Sequence, residues 1–88
     1  MENTWIGLSV TGGGSSVIGD ITRYGGASAY LDEFITPYSK EAIDELLGHA
    51  PDHYCSKETA LQHAAQMHRR VSRRKKDDRL VMGVGVCC

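Results

Sequence analysis

Cysteine is scarce in this chain of 88 residues, and its count is odd: there are three, none in Cys-x-x-Cys spacing. That excludes a closed disulfide framework and a zinc site of four cysteines. Long apolar runs are missing as well. No stretch approaches the roughly 20 residues that a membrane helix needs. The opening residues, Met1 to Trp5, lack the basic-then-apolar pattern of a secretory signal, so the expectation is a reduced, cytoplasmic, soluble domain without membrane contact. Net charge is almost absent, since 10 Lys+Arg against 11 Asp+Glu leave −1, and the bulk charge points to no partner. With 41% hydrophobic and 24% charged residues the chain is globular rather than disordered. Length is the scarcest resource. A domain this short buries only about 60–65% of its unfolded surface, and it invites a partner.

What is present reads as alternating strands and helices. Trp5, Ile6, Leu8 and Val10 make Thr4 to Val10 a strand apolar on both faces. Gly12, Gly13 and Gly14 end it, and Ser15 or Ser16 can cap a helix carrying Val17, Ile18 and Ile21 that stops near Gly25-Gly26. A second strand spans Ala29 to Thr36 and closes at Pro37. Ser39 caps a short helix with Ala42, Ile43, Leu46 and Leu47 inward, and Gly48 stands at its C′ position. Ser56 caps a longer helix to about Arg73, with Ala60, Ala64, Met67 and Val71 on one face. Asp77-Asp78 turns the chain into a third strand, Arg79 to Val86. The order β-α-β-α-α-β predicts one small α/β layered domain over residues 1–88, a sheet of about three strands with helices packed on it. Trp5 and Phe34 are expected in its core.

The strand–glycine–helix junction is the first candidate for chemistry. Backbone N–H groups at such a junction can face an anion or an oxyanion. It is neither a P-loop nor a Gly-x-Gly-x-x-Gly loop, and a plain tight turn is the competing reading. His49-x3-His53-x-Cys55 could offer three metal ligands, but no second cluster supports it and no metal is assigned. His63 and His68, five apart on one helix, read as surface or boundary residues. Six of the ten basic residues crowd into Arg69 to Lys76. No aromatic residue is interleaved there for base stacking, so a solvated helix end is expected rather than a nucleic-acid site.

A resemblance adds to this reading. Thr11-Gly12-Gly13, Gly26-Ala27-Ser28-Ala29-Tyr30-Leu31, Tyr38-Ser39-x-Glu41-Ala42 and Leu47-Gly48 occur in this order. Together they resemble the N-terminal half of the CinA C-terminal domain family, the nicotinamide-nucleotide amidases, over about residues 5–86. Those domains carry Ser-Cys-Thr-Gly-Gly, Gly-Ser-Ser-Ala-aromatic and Tyr-Ser-Asn-Glu-Ala-Lys. The resemblance implies Ser28 as nucleophile, Tyr38 as a second catalytic residue, and Thr11, Gly12 and Gly13 as substrate-binding residues, without a cofactor. A serine needs a base, and the position of the family's lysine is held here by Ile43. Leu8 and Val10 replace the family's acid and cysteine. The expectation is a divergent, truncated member that keeps a nucleotide ligand with weak or no carboxamide hydrolysis. The alternative is a non-catalytic oligomerising or protein-interaction module, and with either function a homo-oligomer through the edge of the third strand is expected.

Overall fold

The computed structural model describes residues 4–11 and 29–87. Strand β1 is Thr4–Val10, β2 is Leu31–Ile35, α1 is Lys40–Leu47, α2 is Lys57–Arg74 and β3 is Leu80–Val86. The three strands form one parallel sheet in the order β2-β1-β3, with two helices, so the domain is mixed α/β. The helix expected around residues 17–25 lies outside the described residues. Every residue from Ile6 to Val10 is buried, as a central strand covered on both faces requires. The second strand is shorter than expected. Its register against β1 slips between Ile6 and Gly7, so that Leu31 and Glu33 oppose consecutive residues. Among the described residues no helix is long and apolar enough to cross a membrane.

The close seating of α2 explains the glycines. Gly7 of β1 pairs with Gly83 of β3, and Ser9 pairs with Gly85. These small residues alternate onto one face of the sheet and form a trough. A Cβ on Gly83 would overlap the Ala64 carbonyl oxygen, and one on Gly85 the Ala60 carbonyl oxygen. The helix backbone therefore lies almost on the strand backbone. This also turns the helix relative to the expected stripe. Ala60 and Ala64 lie against glycine backbone, half-buried, while the sealed line is Thr59, His63, Met67 and Val71. His63, expected at the surface or boundary, is 0% exposed.

Both helix starts follow the sequence signals. Ser39 Oγ accepts from the Ala42 N–H at 3.1 Å, and Ser56 Oγ accepts from the Thr59 N–H at 3.1 Å. Gly48 ends α1 at φ +84°, in the left-handed region. Ile43 and Leu47 are the buried residues of α1.

Trp5 corrects an expectation. It is half-buried rather than in the core. Its indole N–H donates to the Asp77 carboxylate at 3.0 Å. The Lys75 ammonium stands 4.0 Å from its ring centre, and the Arg79 guanidinium 3.7 Å. The turn before β3 supplies polar partners that an indole at a strand start can reach. Phe34 is also only half-buried, on edge strand β2.

Candidate functional site at the carboxyl ends of the strands

The strand order reverses at β1: β2 lies on one side of it and β3 on the other. In open parallel sheets a ligand sits outside the carboxyl ends of the strands at such a reversal. Here that point is the end of β1 beside the end of β3. Thr11 stands there, 7% exposed. Its N–H donates to the Val86 carbonyl at 2.9 Å, which pins the two strand ends together. Gly12, Gly13 and Gly14 follow Thr11 in the chain and lie outside the described residues.

Tyr38 follows the carboxyl end of β2 and is 85% exposed. Ser28 lies outside the described residues. Its chain neighbour Ala29 precedes β2, where Arg79 donates to the Ala29 carbonyl and also to that of Thr4. All of β2 thus stands between Ala29 and Tyr38. Ile43, where the resemblance expects a lysine, is 7% exposed and belongs to the core. Lys40, one turn earlier, lies over the Tyr54 ring, 5.5 Å from its centre. Tyr54 in turn donates to Asp44 at 2.7 Å, and that carboxylate raises the pKa of the phenol. Among the described residues no three His, Cys, Asp or Glu side chains converge to hold a metal, so His49, His53 and Cys55 do not form a site.

Sequence reasoning missed a buried pair. Ser9 Oγ and His63 Nδ1 are 2.9 Å apart, and both residues are 0% exposed. His63 Nε2 has no hydrogen-bond partner among the described residues. Burial lowers the pKa of the imidazole, because the charged form loses its water. Serine beside histidine is the arrangement of an activated nucleophile, but this hydroxyl is sealed from any substrate. The pair joins β1 to α2 as a polar contact inside the core. The available signal was a serine in an otherwise apolar strand.

The basic run also departs from a uniformly solvated helix end. Arg70 donates to Glu33 through Nε at 3.0 Å and Nη2 at 2.6 Å. Arg74 pairs with Asp32, and Lys75 reaches the same carboxylate at 3.3 Å. Arg70 above all, through its hydrogen bonds, holds the Glu33 carboxyl below its ordinary pKa. These cations fasten α2 to β2. Comparison with family models, with curated proteins and with solved structures finds no match.

Proposed function

We propose that this chain is a divergent CinA-like domain that binds a nucleotide and hydrolyses its carboxamide weakly or not at all. The observation that supports the binding half is the strand reversal at β1. It brings Thr11 to the end of β1, where parallel sheets receive ligands, and the sequence Gly12-Gly13-Gly14 follows Thr11 in the chain. The weak-catalysis half rests on Ile43. It is apolar, it belongs to the core, and it cannot take the proton of a serine hydroxyl. Ser28, Tyr38, Thr11, Gly12 and Gly13 remain the residues to vary. A thermal-shift titration with nicotinamide mononucleotide, paired with an ammonia-release assay, tests both halves. Saturable stabilisation with little ammonia is the expected result. Turnover that Ser28→Ala abolishes would refute the weak-catalysis half, and no selective stabilisation would refute binding.

A second reading has its own observation. β3 pairs only with β1 among the described residues, and Leu80 and Met82 on it are 70% and 47% exposed. An apolar unpaired edge is a template for another strand. This favours self-association, which is compatible with nucleotide binding.

A further inference from the structure

The end of α2 separates its arginines into two sets. Arg70 and Arg74 face β2 and pair with Glu33 and Asp32. Arg69 and Arg73, one turn apart, are exposed and have no carboxylate within ion-pair distance among the described residues. Beneath these two lies a cleft of about 450 Å³ between the end of β2, α1 and α2. That volume falls in the usual range for small-molecule sites, about 300–1,000 Å³. Ile35, Pro37, Ala42 and Leu46 give an apolar patch to a lining that is otherwise polar. Gln66, a turn before Arg69 and Arg70, adds a neutral amide to the wall. Glu45 is the one acid on the lining among the described residues, so there the two guanidinium groups of Arg69 and Arg73 oppose one carboxylate. A neighbouring hollow, bounded by Arg70, Arg73 and Arg74, continues the positive surface.

We infer that this cleft binds a small phosphate monoester, with the phosphate between Arg69 and Arg73 and an apolar body on Ile35, Pro37 and Leu46. The chemistry selects the class. A planar guanidinium fork matches phosphate oxygens, and like charges one helical turn apart repel until an anion sits between them. The apolar patch beside the arginines offers a seat for more than a bare ion. Among the described residues no aromatic side chain lines the cleft, so no stacking platform of a single-stranded nucleic-acid site is seen there. The inference does not depend on the nucleotide reading. Its residues belong to β2, α1 and α2, whereas that reading rests on the ends of β1 and β3.

The test uses the whole chain and two probes, phenyl phosphate and inorganic phosphate, followed by calorimetry and amide chemical shifts. Phenyl phosphate is expected to bind saturably and several-fold more tightly than inorganic phosphate. Its shifts should cluster on residues 35–37, 42–46 and 66–73. The double variant Arg69→Gln/Arg73→Gln should weaken phenyl phosphate by about tenfold or more, as expected for loss of charge-assisted bonds. Because both side chains are exposed, its thermal midpoint should match that of the unaltered chain. The double variant Lys57→Gln/Lys76→Gln removes an equal charge at two exposed positions outside the cleft and should leave binding within about twofold. Equal losses in the two variants would overturn the inference, since only the general field would then attract the anion. Absence of saturable binding would overturn it too. So would displacement of phenyl phosphate by a single-stranded oligonucleotide with a steep salt slope, which would mark a nucleic-acid surface instead.

Discussion

His63 and Ser9 show how one buried titratable residue sets a pH limit on the fold. In the unfolded chain the imidazole protonates near its ordinary value of 6.5, and burial moves the folded value lower. Between the two values the unfolded state holds more protons, so stability rises with pH. Stability is therefore expected to fall as pH drops below about 6.5, by at most about 1.4 kcal/mol per pH unit for one proton. Urea unfolding at a series of pH values measures the slope. His63→Gln should cost about 1–3 kcal/mol at neutral pH through the disturbed core, yet flatten the slope. A slope unchanged in that variant would assign the proton to another group. The glycines make a second contrast at this scale. Gly83→Ala drives a methyl into the backbone of α2 at Ala64 and His68, and a cost above about 3 kcal/mol is expected because backbone cannot repack cheaply. Gly48→Ala meets open space and costs only its left-handed φ, about 1–2 kcal/mol. Chemical denaturation of the two variants ranks them.

At the scale of elements, α2 does two things with one sequence. Its inner line seals the sheet, and its basic end fastens edge strand β2 through Arg70–Glu33 and Arg74–Asp32. The Arg70 side chain is 42% exposed, so water screens much of this pair. Glu33→Gln is expected to cost about 0.5–1.5 kcal/mol at neutral pH. The Glu33 carboxylate has a depressed folded pKa, so its contribution is present above the ordinary value of 4.5 and disappears as pH falls below it. The difference between the unaltered chain and Glu33→Gln should vanish in acid, and parallel pH titrations of stability would show whether it does. The helices among the described residues were legible because their signals are local: Ser39, Ser56 and Gly48 act within a turn of where they stand. What the sequence hid is long-range. Ser9 and His63 are 54 positions apart, and Trp5 and Asp77 are 72 apart. No periodicity encodes such partners. The inward turn of α2 was hidden for the same reason, because Gly83 and Gly85 dictate it only once β3 lies under the helix.

At the scale of the molecule, the sheet of the described residues has an edge at each side, and the two edges differ. β2 carries Asp32 and Glu33, held by the cations of α2. Charge of this kind blunts an edge. β3 carries Val81, Met82, Val84 and Val86, with Leu80 at its start, and no charged residue. Among the described residues Leu80 and Met82 of this strand remain 70% and 47% exposed. Pairing of β3 with β3 of a second copy would continue the sheet and remove Leu80 and Met82 from water. The expected outcome is a dimer or larger assembly at micromolar concentration, visible as a mass above 9.6 kDa in light scattering. Because apolar contacts and strand hydrogen bonds would hold it, added salt should not dissolve it. Met82→Lys should return the chain to the monomer, since a charge at an edge opposes pairing. Its side chain is already 47% exposed, so the monomer fold should tolerate the change. An unaltered chain that scatters as a monomer would refute edge pairing. An assembly that Met82→Lys leaves intact would place the contact on another surface.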